Sequence, residues 1–253
     1  MAVARMKAIG AVSFDLDGTL CDHQGAVRLS FDAALRALVR LVPGAPAAAV
    51  KQHFGIAGSR MKRMADEAGQ PWWPVRDQWA EALREAGVVC SAELLDEVAS
   101  VFTHTLNTTA IAYPDAHQVL VSLRRTGLPV GVLTNGNRGN QLRKLRACGL
   151  EDLVDRIVVS EDIGVHKPDA AAFSAMARAL SVPLGALVHV GDDLVHDVDG
   201  ATAAGARAVW VVRSGRAGPG PATPRAGAAP RVFDLTSVPP LLGALRFVHR
   251  RPS

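Results

Sequence analysis

The sequence predicts an α/β fold: a parallel-sheet core with helices on both faces, plus a small all-helical cap inserted after the first strand. Three observations predict it. Five short segments are continuously apolar rather than alternating, as strands covered on both faces should be. From Asp115 onward, strand-like and helix-like segments alternate, the pattern of crossover connections in a parallel sheet. Between Cys21 and about Ala110 only helical patterns occur.

The strand segments are Ala8–Phe14, Pro129–Leu133, Arg156–Ser160, Ala186–Val190 and Arg207–Val212. Among the helices between them, Asn140–Cys148 carries Leu142 and Leu145 on one side, with Arg143, Lys144 and Arg146 read as its polar surroundings. Asp169–Leu180 carries Phe173, Met176, Ala177 and Leu180 at helical spacing. The inserted block reads as helices Ala26–Val42, Ala47–Ala68, Val75–Ala86 and Ala92–Asn107, broken at Pro43-Gly44, at Gly69-Gln70-Pro71 and at Gly87. The expected division is a Rossmann-like α/β core of residues 1–20 and 111–253 and a helical cap of residues 21–110, with hinges at Cys21–Gly25 and Thr108–Pro114. Of Trp72, Trp73 and Trp79, at least two are expected to pack the helical core. Residues 215–230 are too rich in Gly, Pro and Ala to build a core and read as a flexible loop within the α/β core. A final edge strand at Arg231–Leu235 and a closing helix at Pro240–Val248 complete the chain.

Composition removes several classes of function. With 253 residues, 49% hydrophobic and 21% charged, the chain can bury a sizeable core and is not a disordered segment. It has no long uninterrupted apolar run, and its N-terminal apolar stretch is cut short by Asp15, so neither a membrane span nor a secretory leader is read. The net charge of +4 is concentrated around Arg213, Arg216, Arg225 and Arg231, interleaved with Gly and Pro. This reads as a solvated basic loop rather than the ordered stripe that a nucleic-acid polymer would need. The three cysteines are scattered with no CxxC pair, which suggests neither a disulfide nor a zinc site and fits a reducing cytoplasm.

The chemistry lies in four polar clusters, each following a predicted strand: Asp15-Leu16-Asp17-Gly18-Thr19, Thr134-Asn135-Gly136, His166-Lys167-Pro168-Asp169 and Gly191-Asp192-Asp193. In an open parallel sheet all four open onto one crevice at the carboxyl edge. Asp15 and Asp17 alternate, so an extended strand end would put both carboxylates on one face. Adjacent carboxylates repel unless a cation or a proton intervenes. With Asp192 they form an oxygen-rich set suited to a hard ion such as Mg²⁺. Lys167 and the Thr134 hydroxyl add the positive charge and hydrogen bonds that match a phosphoryl group. Each signal alone is weak, since DxD, GD and NG are common in loops and turns. Their order and placement together carry the reading.

These segments resemble the haloacid dehalogenase-like hydrolase superfamily, in its phosphatase branch with a helical cap. The resemblance covers Ala8–Leu20 and Tyr113–Val212, and the stretch from Leu133 to Asp169 is similar to pyrimidine 5′-nucleotidases and N-acylneuraminate-9-phosphatases. It implies that Asp15 is a nucleophile forming an aspartyl-phosphate and Asp17 the general acid and base. It implies Mg²⁺ held by Asp15, the backbone carbonyl of Asp17 and Asp192. Thr134 and Asn135 would bind phosphate oxygens, with Lys167 neutralising charge. Asp193 and Asp197 would be outer residues orienting metal waters or Lys167; for Asp197, a plain helix-terminal carboxylate is nearly as good a reading. The implied partner is a small phosphorylated metabolite; which phosphomonoester, and whether the protein is a monomer or a homodimer, are not readable.

Alternatives on the same fold are a 2-haloacid dehalogenase, a phosphomutase and a non-catalytic protein that binds a phosphate ligand. Dehalogenases of this kind lack the second aspartate, which is present as Asp17. Mutases such as β-phosphoglucomutase carry a histidine where this chain has Gly25, with His23 nearby but out of place. Arg28, His53, Arg60 and Trp72 are candidate leaving-group readers in the cap, although an ordinary surface or packing role is the better reading of each.

Overall fold

The computed structural model describes residues 8–68, 74–213 and 229–247. The chain divides into two compact units, Met1–Asp22 with Ile111–Ser253, and His23–Ala110. The helical unit holds α1 (His23–Leu41), α2 (Ala47–Glu67), α3 (Val75–Glu85) and α4 (Ala92–Thr108). The other unit holds α5 (Pro114–Arg125), α6 (Arg138–Ala147), the single turn α7 (Ser160–Ile163), α8 (Ala170–Ala179), the short α9 (Gly200–Ala204) and α10 (Val238–Phe247).

Its sheet is built from β1 (Ala11–Phe14), β2 (Val130–Thr134), β3 (Arg156–Val159), β4 (Leu187–Gly191), β5 (Arg207–Val211) and β6 (Arg231–Val232). All neighbours are parallel, in the order β3-β2-β1-β4-β5-β6. This is the expected Rossmann-like α/β core. Pleating sends alternate side chains to opposite faces. Val12, Phe14, Val130, Val132, Val188 and Val190 pack with Val119, Leu120 and Leu123 of α5 and Leu145 of α6. Ala11, Leu133 and Leu187 pack with Phe173 and Met176 of α8. Continuous apolarity in the sequence thus reflects two buried faces, as anticipated.

The order reverses at the central pair β1 and β4, where a crevice opens at the carboxyl ends. Phe14 is in register with Val132 on one side and Val190 on the other, so the segments leaving these three strands emerge at one level. The edge strand is shorter than expected, because Asp234 caps a 3₁₀ turn at Leu235–Ser237 and ends the extended backbone.

Two expectations require correction. Cys21 is paired with Cys148, their Cα atoms 6.8 Å apart, although their 127-residue separation and lack of a motif suggested no disulfide. The adjacency of β1 and β2, invisible in cysteine spacing, brings the two residues into the same core. Arg213 is not part of a solvated loop. It pairs with Asp115 at 2.6 Å, donates to the Thr19 carbonyl at 2.6 Å and lies over the Tyr113 ring at 3.9 Å. Arg231 lies over the rings of Phe233 and Trp210. Arg216, Arg225 and most of the 215–230 loop lie outside the described residues.

The helical unit has a separate aromatic core. Trp79 is fully buried, its ring 4.5 Å from Phe54 and 5.4 Å from Phe31, with Phe102 beside it. Trp79 therefore packs this core; Trp72 and Trp73, which the expectation of two packed rings also concerns, lie outside the described residues. Arg60 is ion-paired with Glu81 on α3. Among the described residues, no helix is long and apolar enough to cross a membrane. Truncating Trp79 removes the largest side chain of this core, so Trp79→Ala is expected to cost about 3–5 kcal/mol in chemical denaturation. A loss below about 1 kcal/mol would show that the helical core does not depend on it.

Candidate active site

The backbone after β1 turns sharply. The Asp15 N–H extends the ladder by one bond to the Val190 carbonyl at 2.9 Å, and the Leu20 and Cys21 N–H groups then return to the Leu16 carbonyl at 3.0 and 2.9 Å. Gly18 makes the turn with φ +92°. A Cβ there would also fall 2.6 Å from Asp192 Oδ2, so glycine is required both by the backbone and by the approach of the carboxylate. Thr19, on the same turn, donates to Asp192 Oδ1 at 2.9 Å. The tip of β4 obeys a similar constraint. A Cβ on Gly191 would lie 2.2 Å from the Asp197 carboxylate, so the missing side chain makes room for it.

Lys167 holds the centre. Its Nζ is 2.6 Å from Asp15 Oδ1 and 2.7 Å from Asp197 Oδ1, and all three side chains are buried. Burial alone would lower the lysine pKa, but the carboxylates of Asp15 and Asp197 outweigh it and raise it above its ordinary value. Asp197 behaves oppositely. Burial would raise its pKa, but Lys167 and a hydrogen bond from His189 hold it well below the ordinary carboxylate range. Burial raises the Asp15 pKa to about 7, against the pull of Lys167.

His189 extends this network. Register places it opposite Ser13 on β1. Burial lowers its pKa, so the ring is neutral near pH 7. Nε2, 3.2 Å from Asp197 Oδ1, then donates to the carboxylate, and Nδ1, 2.9 Å from Ser13 Oγ, accepts from the hydroxyl. The Asp193 N–H also donates to Asp197 Oδ2 at 3.0 Å. The Asp193 carboxylate itself caps the π-helical turn Leu194–Asp199, accepting from the Val195 and His196 N–H groups.

A second set of contacts surrounds Asp17. Lys144 Nζ is 2.7 Å and Gln141 Nε2 is 3.0 Å from Asp17 Oδ2. The Gln141 amide also reaches Thr134 Oγ1 at 2.7 Å and the Asn135 carbonyl at 2.8 Å. Both residues project from α6, three positions apart and therefore on one helix face. Asn137 caps that helix, accepting from the Asn140 N–H.

The structure therefore brings Asp15, Asp17, Thr134, Asn135, Lys167, Asp192 and Asp197 to one sheet edge, with two details that the sequence pattern did not show. First, the carboxylates of Asp15 and Asp17 do not form a pair facing one cation. The strand ends at Phe14, alternation lapses in the turn, and Asp17 takes partners on α6. The cluster of carboxylate oxygens lying within 4.8 Å of one another is Asp15, Asp192 and Asp197. Second, the Asn135 side chain is committed to Lys167: Nδ2 donates to the Lys167 carbonyl and Oδ1 accepts from the Lys167 N–H, each at 2.9 Å. That reciprocal pair satisfies loop backbone that has no strand partner. Sequence reasoning missed Gln141, Lys144, His189 and Ser13. The one available signal was the spacing of Gln141 and Lys144 in the helix that follows Thr134-Asn135-Gly136.

A family model for haloacid dehalogenase-like hydrolases matches residues 9–205. The chain belongs to that family. It is 35% identical over 210 residues to a phosphatase of Mycobacterium tuberculosis, covering 83% of this chain and 90% of that protein. To the phosphoserine phosphatase of Thermus thermophilus it is 35% identical over 210 residues, covering 81% of this chain and 82% of that protein. To the N-acylneuraminate-9-phosphatase of Mus musculus it is 30% identical over 223 residues, covering 83% and 86%. Among solved structures, the magnesium-bound HAD-hydrolase YfnB from Bacillus subtilis aligns with TM-score 0.74 over 93% of this chain and 99% of that one, at 22% identity, a likeness of fold. A 2-haloacid dehalogenase from Pseudomonas syringae aligns with TM-score 0.65 at 31% identity, covering 94% and 99%.

The residues fit a hard divalent cation. Asp197 is engaged by Lys167, His189 and the Asp193 N–H, so the cluster offers Asp15 and Asp192 as oxygen ligands. The raised Asp15 pKa is what a buried carboxylate shows when its charge is incompletely compensated, and a cation would complete it.

Folding raises the Asp15 pKa from 3.8 to about 7, so between these values the folded state retains a proton that the unfolded chain releases. The associated stability is present at low pH and lost as pH rises through about 7. Asparagine mimics the neutral form. In EDTA, Asp15→Asn is expected to melt above the wild type at about pH 8, and the gap should close toward about pH 5. A variant that melts lower at about pH 8 would show that the buried carboxylate is fully compensated without metal.

Proposed function

We propose that the protein is a Mg²⁺-dependent phosphatase that hydrolyses a small phosphomonoester through an aspartyl-phosphate on Asp15. The observation that carries this reading is the buried Lys167–Asp15 contact at 2.6 Å, within a cluster of acidic oxygens at the switch point of the sheet. The names of the Mycobacterium, Thermus and mouse relatives support phosphoester chemistry.

In the first half-reaction a carboxylate oxygen of Asp15 forms a bond to phosphorus. The ester P–O bond breaks, its electron pair stays on the leaving oxygen, and that oxygen takes the proton of the Asp17 carboxyl group. In the second half, water bonds to phosphorus and gives a proton to the Asp17 carboxylate. Asp15 then departs as a carboxylate, inorganic phosphate is released, and both side chains return to their starting states. Lys167 neutralises charge on the nucleophile and the phosphoryl oxygens. Thr134, buried at the end of β2, supplies a hydroxyl to a phosphoryl oxygen. Mg²⁺ held by Asp15, the Asp17 backbone carbonyl and Asp192 would stabilise the negative charge of the transferred group. Asp197 keeps Lys167 in place. Nucleotides, sugar phosphates and similar small phosphorylated metabolites are the proposed class of substrate.

A dehalogenase is the competing reading, given the likeness to the Pseudomonas syringae enzyme. Carbon–halogen cleavage releases a halide, which needs no protonation. It leaves no task for Asp17, which this chain holds with two donors.

Purified protein is expected to release phosphate from p-nitrophenyl phosphate with Mg²⁺ and to stop in EDTA. Asp15→Asn should lower the rate by at least about a thousandfold with an unchanged circular dichroism spectrum. Halide release from a 2-haloacid in EDTA, with no phosphate release under any metal, would replace this reading with the dehalogenase.

A further inference from the structure

The reaction as proposed gives the buried side chains of α6 no step of their own. Lys144 is a lysine exposed by only 6%, and its neighbour on the helix face, Gln141, by only 3%. Burying a lysine costs several kcal/mol unless a partner is fixed beside it. The partner is the carboxylate two residues after the proposed nucleophile. Lys144 Nζ and Gln141 Nε2 converge on a single oxygen of Asp17, at 2.7 and 3.0 Å. Two donors on one oxygen fix both the position of a carboxylate and the plane in which it lies.

The Gln141 amide is itself over-committed. Its two N–H bonds serve three acceptors, Asp17 Oδ2, Thr134 Oγ1 and the Asn135 carbonyl. Its carbonyl Oε1 is buried with no hydrogen-bond partner among the described residues. Such an orphan costs free energy, so the amide's orientation is dictated by the acceptors around it.

We infer that Lys144, assisted by Gln141, is a positioning residue for Asp17 and thereby governs proton transfer to the departing oxygen. The inference rests on the phosphatase reading, with Asp17 as acid and base. A proton donor must sit within hydrogen-bond reach of the oxygen it serves, and its turn carries Gly18, the residue of greatest backbone freedom. Anchoring the carboxylate to the helix that follows the next strand, rather than to its own turn, removes that freedom.

The consequence is specific. Protonation matters little when the leaving group is a stable anion and much when it is not. Loss of Lys144 should therefore penalise poor leaving groups selectively, whereas a merely structural role would penalise all of them alike. The parameter to read is kcat/KM, because it reports steps up to ester cleavage and is blind to hydrolysis of the aspartyl-phosphate.

The test compares p-nitrophenyl phosphate with phenyl phosphate for wild type, Lys144→Met, Lys144→Arg, Gln141→Leu and Asp17→Asn, with folding followed by circular dichroism. Lys144→Met is expected to lose at least about tenfold more kcat/KM on phenyl phosphate than on p-nitrophenyl phosphate, in the same direction as Asp17→Asn. Lys144→Arg should recover part of that selective loss, and Gln141→Leu should show a smaller one. An equal loss on both substrates in Lys144→Met, or no loss, overturns the inference while Asp17→Asn still discriminates. If Lys144→Met fails to fold, an unselective loss in Gln141→Leu overturns it. If Asp17→Asn does not discriminate either, or wild type releases no phosphate, the underlying assignment falls and the inference with it.

Discussion

A single buried ammonium lets this sheet edge hold its acidic groups. Asp15 and Asp197 are both buried, and neither could keep its charge there without the Lys167 Nζ between them. Compensation is unequal. Asp197 receives Lys167, His189 and a backbone N–H, and its pKa falls; Asp15 receives Lys167 without that further support, and its pKa rises to about 7. The lysine therefore divides the pair into a fixed counter-charge and a carboxylate whose charge is incompletely balanced. On the proposed reading the second is the nucleophile, which must be ionised yet weakly solvated, and which a metal ion would complete.

Lys167 reaches this position through its backbone as much as through its charge. It sits in a loop beyond α7, with no strand to pair with, and the Asn135 side chain supplies the missing hydrogen bonds in both directions. Asp197 depends in turn on the bare Cα of Gly191 and on His189, whose ring is oriented by Ser13 one strand away. The glycine and asparagine that look like turn residues in sequence are, in three dimensions, the supports of the central charge.

The strands, their order of use and the polar clusters after them were legible because continuous apolarity and a polar break are local signals. Register then brings Asp15, Thr134 and Asp192 to one level without further information. What was not legible depends on partners distant in sequence. The pairing of Cys21 with Cys148 follows from the adjacency of β1 and β2, not from cysteine spacing. Arg213 reads as loop charge until α5 places Asp115 beside it. Lys144 looks like one more cation on a polar helix face, because the sequence of α6 alone gives no reason to bury it. The hold of the Asn135 side chain on the Lys167 backbone was hidden for the same reason, since its partner lies 32 residues further along the chain.

The divergence of two aspartates only two residues apart has a structural logic. Asp15 is bound by Lys167, from the loop preceding α8, while Asp17 is bound by α6. The two carboxylates therefore take their hydrogen bonds from different parts of the chain, although the charge of Asp17 still acts on Asp15. Nucleophilic attack at phosphorus and attack at carbon both need the first carboxylate; a leaving oxygen that requires a proton needs the second as well. A fold that hosts both chemistries can separate them at that point, since the side chain that touches the nucleophile, Lys167, does not come from α6. The buried Lys144, costly to place and unnecessary for a halide leaving group, marks the side of that division on which this chain lies.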